Sequence, residues 1–263
     1  WRRVYTAARP VAFPARSGGE RILLERLARG AGDGERVAAA AALTAYVPRS
    51  QEVRSALIAV LEDGNGSEEL RRQAAKGLSF GGHDSRVSAS LLGVAGAWRE
   101  TESLRALAYK ALYAMSNRGA VAEALQDAVS DSSLGAAVRG GAAWGAFRAA
   151  HRADVRDALL AALEAEREES SLRVEALKSL FGSLNLARVR DAFLAVARDA
   201  RQPAELRAAA VLGLVARTNE SGVRAFLESL ADSESDQAVR TAALRALAGT
   251  VDYSIAEFFH LDS

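Results

Sequence analysis

Val53, Val87, Val121, Val155, Val189 and Val223 stand 34 positions apart, and each is followed four residues later by a large apolar side chain: Leu57, Leu91, Leu125, Leu159, Phe193 and Leu227. With a mostly apolar position one further turn on, each segment carries the i, i+4, i+8 stripe of an amphipathic helix. Stepping back one period finds Leu23 and Leu27 in register, and stepping forward finds Leu261. A helix bearing such a stripe cannot bury it alone. A fixed period of this length therefore demands that successive units stack on one another.

A second series interleaves with the first: Leu70-Arg71, Leu104-Arg105, Val138-Arg139, Leu172-Arg173, Leu206-Arg207 and Val239-Arg240. Four residues after each Leu or Val stands alanine (Ala74, Ala108, Ala142, Ala176, Ala210, Ala243), a small residue that lets helix backbones approach closely. Polar links such as "EDGNGSEE", "DSSLG" and "DSESDQ" supply turn and capping residues between the two helix types. Residues 35 to 48 fit the second pattern in a blurred register. The chain is read as all-α, a right-handed α-solenoid (an α-α superhelix) of about seven two-helix repeats plus a terminal half repeat containing Phe258, Phe259 and Leu261. Composition agrees: 49% of residues are hydrophobic but only 6% aromatic, so the core must be built from Ala, Leu and Val. The solenoid is assigned to 19–263. Residues 1–18, with two prolines and Arg2, Arg3, Arg9 and Arg16 but no acid, are read as a basic arm or linker remnant. Because the chain begins at Trp1, it is expected to be a trimmed piece, a fragment or the mature part of a processed protein.

The recurring L-R-x-x-A-x-x-A-L of the second helix, as in "LRALAYKAL" (104–112) and "LRAAAVLGL" (206–214), resembles the HEAT-like repeats, in particular the short bacterial ones and those of the phycobilin lyases. The Trp, Leu-Gly, Tyr and Pro positions of tetratricopeptide repeats do not recur. The resemblance implies that second helices line a concave face. It also implies that the arginine ladder (Arg71, Arg105, Arg139, Arg173, Arg207, Arg240) pairs with acidic or carbonyl groups of the adjoining links, for which Asp63, Asp131 and Asp199 are candidates. It leaves activity open, because the family includes scaffolds, lyases, hydroxylases and DNA glycosylases.

One column bears on function. Six residues after each Leu or Val stand Lys76, Lys110, Trp144, Lys178, Leu212 and Arg245, and the three lysines of that set are all the lysines of the chain. Helical phasing turns this position away from the repeat's own apolar stripe. The column is the candidate partner-binding surface. Trp144 lies in "VRGGAAWGAF", where three glycines weaken a helix around its largest side chain. Either the indole is displayed between Lys110 and Lys178, or it folds over the gap left by Gly140, Gly141 and Gly145 and packs on a neighbouring repeat. Trp98, Tyr109, Tyr113, Phe147 and Phe181 cluster near the same repeats, mostly as packing residues.

Other chemistry has little support. There is no cysteine, and 34 basic against 33 acidic residues give a net charge of +1, which argues against a dedicated nucleic-acid binder. No apolar run is long enough to span a bilayer. His83, His151 and His260 stand on separate repeats, none followed by the Glu that deoxyhypusine hydroxylases use to hold iron. Trp144, Arg148 and Asp154 supply residue types used by alkylpurine DNA glycosylases without matching a signature spacing. "DGNGSEE" (63–69) starts like a calcium loop but lacks its sixth-position glycine and twelfth-position carboxylate, so it reads as a turn with capping residues. The expectation is a protein that is not an enzyme, holds no cofactor or metal, and binds a partner protein or acidic peptide along the concave column. The alternatives are a HEAT-like enzyme or nucleic-acid-binding protein of DNA-glycosylase or tetrapyrrole-lyase type, and a purely architectural segment of a larger protein.

Overall fold

A computed structural model describes residues 18–249. The predicted arm over 1–17, the half repeat with Phe258, Phe259 and Leu261, and His260 lie outside the described residues. Within them the chain forms seven helical hairpins and no strand. They are α1 (Gly19–Arg29) with α2 (Asp33–Leu43), α3 (Gln51–Glu62) with α4 (Glu68–Leu78), and α5 (Ser85–Gly96) with α6 (Glu102–Ala111). There follow α7 (Gly119–Ser130) with α8 (Ala136–Gly145), α9 (Ala153–Glu164) with α10 (Ser170–Leu180), α11 (Ala187–Arg198) with α12 (Ala204–Gly213), and α13 (Ser221–Ser233) with α14 (Gln237–Leu247). No helix is long and apolar enough to cross a membrane among the described residues.

The periodic positions are what the hairpins bury. Val53 through Val223 and their partners Leu57 through Leu227 are buried without exception, as are the Leu or Val of the second series and the alanine four residues after each. Burying one such Leu or Val removes about 1.5–3 kcal/mol worth of apolar surface from water. The main chains of α6 and α8 approach most closely at Gly141, against Ala106, and at Gly145, against Tyr109. In most joints the second helices pack on one another more closely than the first helices do. Link residues start the helices: Ser67 and Thr101 accept from the main-chain N–H groups of Leu70 and Leu104, and Asp84 accepts from Arg86. The "DGNGSEE" link is accordingly a turn, with Asp63 Oδ1 accepting from the Asn65 N–H and Ser67 capping α4.

Arginines tie hairpin to hairpin. Arg71 donates from Nε to the Leu61 carbonyl (2.9 Å) and from both terminal nitrogens to the Glu100 carboxylate (2.7 and 2.6 Å). Arg139 donates from Nε to Val129 (2.9 Å) and from Nη1 to both Glu168 oxygens (2.8 and 2.7 Å), and Arg173 from Nε to Leu163 (2.8 Å) and from Nη1 to Gln202 (2.7 Å). Arg207 holds the Ala197 carbonyl and Glu234. Arg240 donates to the Glu234 carbonyl (2.7 Å). Each of Arg71 to Arg207 thus closes its own hairpin through a carbonyl ten residues back, and most grip the following hairpin's link as well.

The acceptors differ from the aspartates that the sequence suggested. Asp63, Asp131 and Asp199 instead accept main-chain N–H groups two residues on, pinning their own turns. Arg105 departs from the pattern: it holds the Ala95 carbonyl (3.0 Å), but position 134, where the period would place the acid, is Leu134. Arg36 belongs to the ladder too, donating to the Leu27 carbonyl (3.0 Å). It escapes the sequence pattern because it stands 35 residues before Arg71.

Candidate functional site

Trp144 does not display its indole. The side chain is 3% exposed and packs edge-on against Tyr113 of the 3₁₀ turn Tyr113–Met115 that follows α6, with ring centroids 5.4 Å apart and planes at 69°. The glycines explain the geometry. A Cβ at Gly141 would collide with the main chain of Ala106, and one at Gly145 with the carbonyl of Tyr109, so both glycines let α8 lie directly on the α6 backbone. At that separation the Tyr113 ring stands edge-on to the indole. Helical phasing accounts for a repeat's own stripe, whereas the burial of Trp144 comes from its neighbour. Of the two placements the sequence left open for Trp144, the structure shows the packed one, against a neighbouring hairpin.

The rest of the column divides in two. At one end, Leu212 of α12 and Arg245 of α14 line a groove of about 440 Å³ with Ala208, Gln237, Thr241 and Ala242. This groove has an apolar floor and a cationic and amide rim. Toward the middle, Lys76, Lys110 and Lys178 are half-buried on α4, α6 and α10. Lys178 Nζ donates to Glu175 Oε1 at 3.0 Å, with only 16% and 17% of the two side chains exposed. Burial holds the Lys110 ammonium below the ordinary lysine value; nearby Glu175 opposes that shift, while Lys178 and Arg72 add to it. Arg72, on the same face of α4, donates to Ser103 of the next hairpin. Cations of α6 and α10 thus flank one carboxylate, Glu175.

Neither Glu175 nor Arg72 figured in the sequence reading. Glu175 left a trace there: the positions equivalent to it carry Gln73, Leu107, Gly141, Ala209 and Ala242, so it is the acid in a column otherwise free of charge. Tyr109 is buried in the core, and Trp98 is 78% exposed in the α5–α6 link with the Arg99 guanidinium stacked on it at 4.9 Å. His83 and His151 are exposed in links on different hairpins, and among the described residues no three metal-ligating side chains come together.

These features define a HEAT-like α-solenoid, with paired helices at a 34-residue period, an arginine tie between repeats and a cationic second-helix face. No protein-family model matches the chain, and no curated protein sequence matches it. Among solved structures, the chain is similar to a chain of the complex of CpcE and CpcF of phycocyanin lyase from Nostoc sp. PCC7120. That match covers 95% of this chain and 97% of the other, at 21% identity and a TM-score of 0.51. Human deoxyhypusine hydroxylase in complex with glycerol matches over 89% of this chain and 85% of its own, at 17% identity and a TM-score of 0.41. The first likeness establishes the fold. It also corrects the expectation that the chain is not an enzyme, since a phycocyanin lyase carries the same architecture.

Proposed function

We propose that the chain binds an acidic segment of a partner protein along its second-helix face. The observation that carries this reading is the placement of charge. Arg72, Lys76, Lys110, Lys178 and Arg245 lie along α4, α6, α10 and α14 with Glu175 and Glu69 as acids beside them, although the chain as a whole is nearly neutral. A near-neutral protein with a cationic stripe attracts an anionic partner to that stripe and not to its surface at large. The groove between α12 and α14 adds an apolar seat beside Arg245 for a side chain of the same segment. The phycocyanin lyase supports a protein partner, being a complex of CpcE with CpcF. The reading concerns recognition and holds whether or not a reaction follows.

The test is fluorescence anisotropy with a labelled peptide of alternating Glu and Ala, beside a Gln and Ala control. Wild type is expected to bind the acidic peptide in a salt-dependent manner, and the Lys76→Gln, Lys110→Gln, Lys178→Gln triple variant to bind it at least about tenfold more weakly. Equal binding by the triple variant, equal binding of the Gln control, or a stronger preference for duplex DNA would overturn the reading.

A further inference from the structure

Arg105 completes only half of the ladder contact. Arg71, Arg139 and Arg173 each send a terminal nitrogen to a side chain 29 residues on (Glu100, Glu168, Gln202), and Arg207 sends one to Glu234, 27 residues on. The same step from Arg105 reaches Leu134, which offers no acceptor. Arg105 Nε is fixed on the Ala95 carbonyl at 3.0 Å, whereas its terminal nitrogens meet no acceptor among the described residues and are open to solvent. Asp131, the acid whose charge reaches Arg105, is engaged in its own turn, where Oδ1 accepts from the N–H and the hydroxyl of Ser133. A guanidinium held at Nε and open at its other end is a positioned fork for a carboxylate, as Glu100 shows on Arg71.

The surroundings distinguish this position from a joint that is merely loose. Trp98, three residues beyond the carbonyl that anchors Arg105, is 78% exposed with the Arg99 guanidinium stacked on it. Leu134 is half-buried in the following link. Arg36 also holds a carbonyl alone among the described residues, but the links beside it read Gly30-Ala31-Gly32 and Gly64-Asn65-Gly66, with no large apolar side chain. We propose that the edge formed by the α5–α6 and α7–α8 links docks an Asp or Glu side chain of a partner protein on the terminal nitrogens of Arg105, while an apolar neighbour of that acid packs on Trp98 and Leu134. Trp and Arg together are the side chains that most often anchor an interface. The carboxylate fixes the orientation that a lone exposed indole would leave free. A doubly charged phosphate suits the fork less, because Asp131 in the same link repels it more strongly than a single carboxylate. The contact uses residues apart from the lysine column and stands whether or not that column binds an acidic segment.

The test fills the fork from within. The probe is the capped peptide Ala-Leu-Glu-Leu-Ala, with Ala-Leu-Gln-Leu-Ala as control, titrated into the isotope-labelled full chain while the indole N–H resonance of Trp98, assigned with Trp98→Phe, is followed. Wild type is expected to show a saturable shift with the Glu peptide, at a dissociation constant of about 1 mM or tighter, and at least about tenfold weaker binding of the Gln peptide. Leu134→Glu, which keeps Arg105 and supplies the acid internally, is expected to weaken the Glu peptide at least about tenfold. Ser132→Glu places the same charge in the same link outside the ladder position and is expected to weaken it by less than about threefold. Equal loss in the two variants, or none in Leu134→Glu, would overturn the proposal, as would the absence of a saturable shift in wild type. The Lys76→Gln, Lys110→Gln, Lys178→Gln variant is expected to keep the shift; its loss there would place the peptide on the lysine column and overturn the link-edge contact alone.

Discussion

Gly140, Gly141 and Gly145 show how far a single residue type is from having a single meaning. In a helix interior, Gly→Ala ordinarily gains about 1 kcal/mol. At Gly140 the new Cβ would meet Glu175 Cγ at ordinary contact distance, so Gly140→Ala is expected to raise stability toward that amount. At Gly141 the Cβ would run into the Ala106 main chain, and forcing α8 off α6 is expected to cost about 1–3 kcal/mol net. Urea denaturation of the two variants checks the opposite signs; two stabilisations would mean that the α6–α8 approach is soft. The sequence marked this segment out by its glycines and tryptophan. It could not show that the indole is buried, because the ring it packs against, Tyr113, stands 31 residues earlier, across a joint between hairpins. Glu175 was hidden for a related reason: its place beside Lys110 and Lys178 is a property of the space between helices.

At the level of elements, the links and the arginine ladder carry the testable consequences. Arg139 satisfies the Val129 carbonyl and Glu168 at once, so Arg139→Met leaves both without a donor and is expected to cost about 3 kcal/mol, the lower end for a buried pair because Glu168 keeps some solvent. Arg105 holds only a carbonyl, and Arg105→Met is expected to cost about 1 kcal/mol. Leu134→Glu supplies the acid that the period omits and is expected to raise the melting temperature. That gain should vanish in an Arg105→Met background. The ladder was legible from sequence as a spacing. Its acceptors were not, since carbonyls leave no trace in sequence and the acids 29 residues on belong to a different link.

The capping carboxylates make the same elements sensitive to acid. Asp84 starts α5 and also takes the Arg54 guanidinium of the preceding hairpin at 3.0 Å. Arg86, then Arg54, hold its carboxyl well below the ordinary range. A group whose folded value is depressed contributes stability above its unfolded value, near pH 4, and that stability is lost as pH falls below it. Asp84→Asn is therefore expected to lower stability at neutral pH and to flatten the loss between about pH 4 and pH 2. A parallel acid limb in wild type and variant, read by circular dichroism, would show that Asp84 does not couple proton binding to folding.

The whole molecule is quasi-one-dimensional. Each hairpin touches its neighbours, so stability is a sum of hairpin and joint contributions and cooperativity depends on the joints remaining strong. This is why the paired-helix stack of the described residues was readable from a period and two apolar stripes, while the proposed partner-binding face depends on a few side chains that the period does not repeat. The joint between the fourth and fifth hairpins is held by the Arg139–Glu168 fork and by Ser179, whose hydroxyl donates to the Ala143 carbonyl at 2.6 Å.

Weakening that joint with Arg139→Met is expected to let the last three hairpins unfold before the first four. In a Trp1→Phe, Trp98→Phe background the remaining Trp144 reports the third joint alone, through its packing on Tyr113, whereas circular dichroism reports all helices. The two signals are expected to coincide during urea unfolding of the parent. In Arg139→Met a first loss of helicity should precede the change in Trp144 emission. If the variant instead shifts both signals together to lower urea, the joints are strong enough to keep the stack a single cooperative unit, and the tie contributes stability without setting the boundary at which the solenoid parts.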